Sequence, residues 1–566
     1  MKKTGKKGKL YWLLGILLVL QVIAALCFCM KKTGFHYDEY YSYYSSNVTM
    51  GLVPTEREWK PGSEIFNEFA VLPGDRFDFG TVVRMQTYDV HPPFYYILLH
   101  GVCSLTPGVF SKWQGLVLNL LFFIGSWLLL AALAWRMAGA GREGDLQKDA
   151  DLRLRQLAVL GAVLLFGFNP AVYSGIVLVR MYMLLGLLVL AVTWLHVKSL
   201  QERKRGWRFW VPLAAIVYLG FLTHYYFAVY LFFLAAAMEF YLLFETAEQK
   251  GWGQKWKDCI VYAAVVIGAL LAAVLSYPAC LGHIFRGYRG TEAMGAFFDR
   301  GNTWGRLRFF AGLLNEYAFG GLLFVWILAL VVLGMTAWAL RRMGKKKPES
   351  AVEKPEAGFW ERYRVLWIPA AASLGYFAVV TKTALLTAEE ANRYQIPVYG
   401  MLLLLAVLLL LMLVGKVCGA GCFGKKGVCG AALAFLLFLT CGQLYGLLDG
   451  KVLFLYEEDA ENIAFAEENA DVSTVYFYNP ALMWMIWDDS LELMQYDEIY
   501  FASLADPSPL KDERLAGADR VLVYAARTEA SEAALQAAAA GMEKPVKMDK
   551  IRELLYCDLY EMRGQD

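Results

Sequence analysis

The sequence predicts an α-helical polytopic membrane protein, with about eleven transmembrane helices and a C-terminal extracytoplasmic α/β domain. Three observations predict it. The 566 residues are 58% hydrophobic and 19% charged, with mean hydropathy +0.41, too apolar for a soluble chain of this length. Apolar runs near the ~20 residues needed to cross a bilayer recur along the first four-fifths of the chain. From residue 447 onward the composition inverts, with 25 Asp/Glu against 10 Lys/Arg, a net charge of −15.

The expected spans are 10–30, 112–136, 156–174, 177–198, 209–223, 225–245, 258–281, 319–340, 364–382, 396–415 and 428–447. The first follows Lys2, Lys3, Lys6, Lys7 and Lys9 and lacks a small-residue cleavage site, so it reads as a retained anchor with a cytoplasmic N-terminus. The segment 93–107 is apolar but short. If it crossed, the basic loop of Arg142, Lys148, Arg153 and Arg155 would lie outside, against the positive-inside rule. Laid flat on the outer surface, it places the later basic loops inside: Lys198/Arg203/Lys204/Arg205, Lys250/Lys255/Lys257, Arg341/Arg342/Lys345/Lys346/Lys347 and Lys416/Lys425/Lys426. Residues 1–447 thus form a membrane domain whose first outer loop is 31–111. Residues 448–566 form an outer domain with β-rich runs at Thr474–Tyr478, Glu498–Ala502, Arg520–Tyr524 and Leu554–Tyr560 and a helical stretch at Ala530–Ala540. The protein belongs in the cell membrane, with its C-terminal domain extracytoplasmic.

Several function classes are excluded or weakened. No basic face exists apart from the membrane-flanking loops, so nucleic acid is not expected as a partner. Ten cysteines give no disulfide framework, and Cys418, Cys422 and Cys429 match no common zinc spacing. The tail has no Gly-rich phosphate loop. Asn47-Val48-Thr49 is a glycosylation sequon on the expected outer side.

The topology gathers ionisable and aromatic residues from six segments on the outer face. They are Asp38, Glu39, Asp89, His91, Arg180, Tyr182, His224, Tyr225, Glu389, Glu390, Arg393 and Tyr394. Ionisable groups at membrane depth are costly and usually mark a cavity. Asp38-Glu39 stands just past the first helix, with no basic residue one helical turn away to neutralise it. Arg180 and Arg393 sit at outer helix ends, where a guanidinium can pair with phosphate or simply snorkel to the interface. His224 suits either a site or an aromatic belt. The run Tyr37, Tyr40, Tyr41, Tyr43, Tyr44 can stack on sugars or sit at headgroup level.

In ordered succession, His36-Tyr37-Asp38-Glu39, Asp89-Val90-His91-Pro92-Pro93-Phe94-Tyr95-Tyr96, Asn169-Pro170, Arg180-Met181-Tyr182, Leu219 to Tyr225 and Asn392-Arg393-Tyr394 resemble the GT-C fold glycosyltransferases. The resemblance is to bacterial relatives of the protein O-mannosyltransferase and lipid A aminoarabinose transferase families, and it covers nearly all the membrane part but not the acidic tail. It implies that the first outer loop carries an acidic catalytic pair and that the segment after His91-Pro92-Pro93 runs along the membrane.

An outer membrane face has no nucleotide-sugar supply, so the expected donor is a polyprenyl-phosphate-linked sugar carried by the bilayer. Asp38 is then the expected general base toward an acceptor hydroxyl, in an inverting displacement. Arg393 and Arg180, with Tyr182, His224 and Tyr394, are expected around the donor phosphate. Tyr37, His91 and Tyr225 are expected to contact sugar or acceptor. Glu39, Asp89 and His91 either orient the acceptor or, as the set Asp38, Asp89 and His91, hold a divalent ion such as Mg or Mn. The acceptor is a cell-envelope glycan, lipid or protein. The alternative is a transporter or flippase of lipid-linked saccharides, but no internal repeat of the transporter kind is visible.

Overall fold

A computed structural model describes residues 2–47, 56–139, 148–245, 251–343, 359–419 and 425–565. Arg142, Lys250, Lys345, Lys346, Lys347, Cys422 and Thr49, which bear on the expectations above, lie outside them. Among the described residues nine helices are long and apolar enough to cross a membrane. The pair Leu152–Gly167 and Pro170–Val177, meeting at 53°, makes a tenth. The expected eleventh, 209–223, is the helix Trp207–Phe221. Its 15 residues run about 22 Å, making it shorter than any of those nine helices. The protein is a multi-pass membrane protein. The segment 93–107 holds the ten-residue helix Phe94–Cys103, about 15 Å long and unable to span.

The chain forms two compact units, and they are not two consecutive blocks. The first comprises Met1–Phe28, Gln86–Tyr95 and Leu116–Leu453. The second comprises Cys29–Met85, Tyr96–Gly115 and Phe454–Asp566, so most of the first outer loop packs with the C-terminal residues.

In the first unit, two helix breaks have identifiable causes. Pro170 cannot donate a backbone hydrogen bond, and Asn169 caps the new helix through Oδ1, which accepts from Ala171 N at 3.0 Å and Val172 N at 3.3 Å. Asn169 Nδ2 also donates to Ala318 O at 3.0 Å. At the second break, between Pro170–Val177 and Tyr182–Glu202, the side chain of Asn119 satisfies the loose carbonyls of Ile176 and Leu178 at 3.1 and 2.7 Å. Arg180 sits in this break.

The second unit is built on a six-stranded sheet of order β1-β3-β2-β4-β6-β5. Its strands are β1 (Glu58–Pro61), β2 (Ser473–Tyr478), β3 (Glu498–Ser503), β4 (Arg520–Ala526), β5 (Val546–Glu553) and β6 (Cys557–Gly564). β3, β2 and β4 are parallel and nearly wholly buried, as central parallel strands are. β6 and β5 continue the sheet as an antiparallel hairpin, so the expected run Leu554–Tyr560 straddles the turn and the start of β6. One face packs Val475, Phe477, Ala502, Val523 and Met562 with Ala534, Leu535 and Ala538 of the helix Ser531–Ala539. β1 comes from the first outer loop and pairs antiparallel with β3.

The other sheet face carries buried tyrosines that meet acids. Tyr476 Oη donates to Asp489 Oδ2 at 2.7 Å, and Tyr524 Oη to Glu492 Oε2 at 3.2 Å. Burial, then the charges of Asp489 and Asp459, pushes Asp488 up to about 8. Burial, then Glu458, lifts Asp459 to about 6, with Lys32 opposing. Burial also raises Asp489 and Glu492. A carboxyl with a raised native pKa binds protons more tightly folded than unfolded, so its stabilisation is full below about pH 4 and is lost as pH rises through about 6 to 8. Hydrogen exchange of β2–β4 in the full-length protein, corrected for intrinsic rate, is therefore expected to show weaker protection at about pH 8 than at about pH 5. Protection that is flat or rises with pH would contradict this.

Candidate functional site

In the second unit, the first transmembrane helix ends at Lys31 and the chain turns into the helix Tyr37–Asn47, whose first turn carries Asp38 and Glu39. Carboxylates are favoured there by the helix dipole. The two side chains differ sharply in their surroundings. Glu39 is fully buried and accepts from Lys32 Nζ and from the His36 amide, both at 2.8 Å. Lys32 is buried as well, donates to Phe454 O at 2.8 Å, and lies over the rings of Phe35 and Tyr456. Burial lowers the Lys32 pKa, and Glu39 opposes that shift. The expectation that the acidic pair lacks a basic neighbour is thus corrected. The turn at 32–36 folds Lys32 back onto Glu39, a contact that helical spacing does not anticipate.

Asp38 retains 18% side-chain exposure. Its amide donates to His36 Nδ1 at 3.1 Å, and its Oδ2 stands 3.7 Å from the same nitrogen. Tyr37 lies against the His36 ring at 4.2 Å. Gly34 permits this turn: a Cβ there would collide with Asp459 Oδ2 and meet Tyr456 Cβ at 2.9 Å. Of the tyrosine run, Tyr40 and Tyr43 are core residues, while Tyr41 and Tyr44 pack on Trp487. Asn47 is buried and donates through Nδ2 to Phe69 O at 2.7 Å, so the sequon offers no accessible amide.

The first unit brings together most of the remaining candidates. Asp89 Oδ2 is 3.1 Å from His91 Nδ1. Arg180 Nη2 lies 3.4 Å from both ring nitrogens of His91, which places the guanidinium against the imidazole. His91 and Tyr182 each stand 5.9 Å, ring to ring, from His224. Tyr182 meets Tyr394 edge-on at 5.7 Å, and Tyr226, absent from the sequence-derived set, meets Tyr394 at 6.2 Å. Arg393 lies over the Tyr394 ring at 5.3 Å and 3.9 Å from Glu390. The positioning is local. Phe94 N donates to Leu222 O at 2.9 Å, pinning the Pro92-Pro93 turn to the His224 turn. Tyr376 Oη holds Tyr394 O at 2.8 Å, and Tyr399 Oη holds Asn392 Oδ1. Tyr317 holds Glu389. Tyr225 bonds His283 Nδ1 at 2.9 Å, and His283 Nε2 approaches Thr87 O at 3.3 Å. His283 is a site neighbour that sequence reasoning missed. Its only signal was that it is one of six histidines.

The electrostatics separate these groups. Burial, then the charges of His91 and Arg180, drives the His224 pKa well below its ordinary value, so this imidazole is neutral. Burial would raise Asp89, but His91, by charge and hydrogen bond, and then Arg180 more than reverse it, and the carboxylate stays ionised. Arg180 and Arg393 are both almost wholly buried, at 2% and 1% exposure. Buried guanidiniums beside a neutral imidazole and tyrosine hydroxyls make an anion-binding environment.

The expected divalent-ion set does not fit. Among the described residues no group of three or more His, Cys, Asp or Glu side chains is arranged to hold a metal. Asp89 and His91 are spent on each other with a guanidinium 3.4 Å away, which repels a cation.

The sequence matches no known protein-family profile, and a search of curated proteins finds no match. Solved structures do match. The crystal structure of ArnT from Cupriavidus metallidurans bound to undecaprenyl phosphate aligns over 97% of this chain and 98% of its own, at TM-score 0.51 and 10% identity. Its apo state aligns over 99% and 98%, at TM-score 0.50 and 11% identity. The fold is that of ArnT. It is the GT-C fold that the ordered motifs led one to expect, and the ArnT likeness also takes in the acidic tail, which the motifs did not cover. An oligosaccharyltransferase from Archaeoglobus fulgidus, in complex with Zn and sulfate, aligns over 90% of this chain and 67% of its own, at TM-score 0.43 and 11% identity. At such identities the ArnT likeness speaks to fold, and the chemistry rests on the residues.

Proposed function

We propose that the protein is a membrane glycosyltransferase. It moves a sugar from a polyprenyl-phosphate donor to an acceptor hydroxyl at the extracytoplasmic face, with a cytoplasmic N-terminus and an extracytoplasmic C-terminal domain. The observation that carries this reading is the buried Arg180 guanidinium held against His91, with neutral His224 alongside, in a chain with the ArnT fold. The undecaprenyl phosphate bound by that ArnT is a ligand whose headgroup such a site suits.

Asp38 accepts the proton of the acceptor hydroxyl. The acceptor oxygen attacks the anomeric carbon as the bond from that carbon to the phosphate oxygen breaks, inverting the configuration. The polyprenyl phosphate leaves with the electron pair, and Arg180 and Arg393 stabilise its charge. Asp89 holds His91 and thereby Arg180. Tyr182 and Tyr394 line the phosphate environment, and Tyr37 and Tyr225 are sugar or acceptor contacts. Glu39, buried with Lys32, positions the helix that carries Asp38 and does not itself react. No step requires a metal ion. The terminal domain's net charge of −15 disfavours a polyanionic acceptor.

The test uses the full-length protein in lipid nanodiscs with a polyprenyl-phosphate sugar and a glycan or hydroxyl-peptide acceptor. Release of polyprenyl phosphate matched by glycosylated product is expected. Movement of intact donor between leaflets of liposomes, without cleavage, would favour the flippase instead. Arg180→Ala is expected to lower kcat about 10²- to 10³-fold, and Arg393→Ala to act in the same direction. Unchanged donor dependence in either variant would remove that arginine from the site.

A further inference from the structure

The helices Tyr226–Phe244 and Trp252–Ser276 flank a groove of about 390 Å³. Its walls are largely apolar, with Ala228, Ala235, Ala236 and Ala263 set among larger side chains such as Leu231 and Phe232. Both helices are long and apolar enough to span the membrane. One wall residue is out of place. Glu239 lines the groove, and its Oε1 is buried with no hydrogen-bond partner. The Cys259 thiol hydrogen-bonds the same carboxyl but leaves Oε1 without a partner, and a carboxylate oxygen unsatisfied at this depth is expensive and calls for an external donor.

The flank of the groove carries the opposite charge. Arg205 stands 3.7 Å from Asp258, and its buried Nε makes no hydrogen bond. Cys259, next in the chain after Asp258, brings its Sγ to within 4.0 Å of Glu239 O, so Arg205 and Glu239 meet the same turn of the helix Trp252–Ser276. Tyr262, also in the groove wall, spends its hydroxyl on His196 Nε2 at 2.8 Å and is not available to Glu239. Trp252 and Trp256, 63% and 55% exposed, mark the headgroup level at the start of their helix. Glu239 lies five residues before the end of its own helix, about 7.5 Å along the axis. The groove's volume of about 390 Å³ and its apolar lining suit a hydrocarbon chain.

We propose that this groove binds an aminophospholipid, one acyl chain filling the alanine-lined channel, the ammonium donating to Glu239 and the phosphate meeting Arg205. An unpartnered carboxylate oxygen on Glu239 and an unpartnered Nε–H on Arg205 complement a zwitterion bearing N–H donors. A choline headgroup has no such donor, and a glycerol headgroup carries no positive charge. The inference is independent of the transfer reaction.

The test is native mass spectrometry of the full-length protein released from detergent, titrated in parallel with phosphatidylethanolamine, phosphatidylcholine and phosphatidylglycerol of identical chains. Phosphatidylethanolamine is expected to be retained about tenfold better than either competitor, the size of one charge-assisted hydrogen bond. Glu239→Gln is expected to remove that preference while leaving residual binding. Ala235→Phe, which fills the channel, is expected to lower retention of all three lipids. If that variant does not fold, Glu239→Gln alone decides. Equal retention of the three headgroups, a preference for phosphatidylglycerol, or an unchanged preference in Glu239→Gln would each overturn the proposal.

Discussion

Asp38→Asn is expected to reduce sugar transfer about 10²- to 10⁴-fold, the usual loss when a general base is removed. The substitution is isosteric and leaves the amide that donates to His36 Nδ1 and the carbonyl that accepts from Ser42 Oγ untouched. Membrane insertion, folding and donor binding should therefore be unchanged, and only the proton acceptor is lost. The readout is glycosylated acceptor formed from a polyprenyl-phosphate sugar, with donor binding measured separately. Turnover at the wild-type rate would sink the assignment of Asp38, and with it the reaction proposed here.

Lys32→Met is expected to destabilise the protein by about 3–5 kcal/mol, because it strands the buried Glu39 carboxylate without its cation. The double variant Lys32→Met/Glu39→Gln is expected to recover most of this loss, since removing both charges removes the uncompensated one. Thermal unfolding of the full-length protein in detergent measures the first effect. Transfer activity measures the second, and distinguishes the roles of the two carboxylates. If Glu39 only positions its helix, the double variant regains transfer. If Glu39 reacts, activity stays lost while stability returns.

The membrane architecture was legible because hydropathy reports burial in lipid directly. The expected span 209–223 corresponds to the helix Trp207–Phe221, whose bounds differ by about two residues at each end because an apolar run does not reveal where a helix starts and stops. The central strands were legible as continuous β-rich runs, but β1 was not. Glu58–Pro61 is a tetrapeptide with no β-branched residue and a terminal proline, and it pairs as a strand along the edge that β3 offers. In the site, Arg180, His91 and Asp89 stood out as costly groups in apolar surroundings, and the structure does gather them. The division of labour between Asp38 and Glu39 was invisible. Adjacent carboxylates look alike in sequence, and what separates them is Lys32, seven residues away and folded back by a turn. His283 and Tyr226 were missed because they act through partners distant in the chain.

The strand β1 has a consequence for how the protein comes into being. Glu56, just before it, accepts from the amide of Ser503, a residue 447 positions later. At a synthesis rate of about 5–20 residues per second, the first loop emerges tens of seconds before its pairing partner exists. Lys32 waits likewise for the carbonyl of Phe454. The helix bearing Asp38 thus reaches its final form only after Phe454 and Ser503 have been made, and a nascent chain that stops short of them leaves this unit unready.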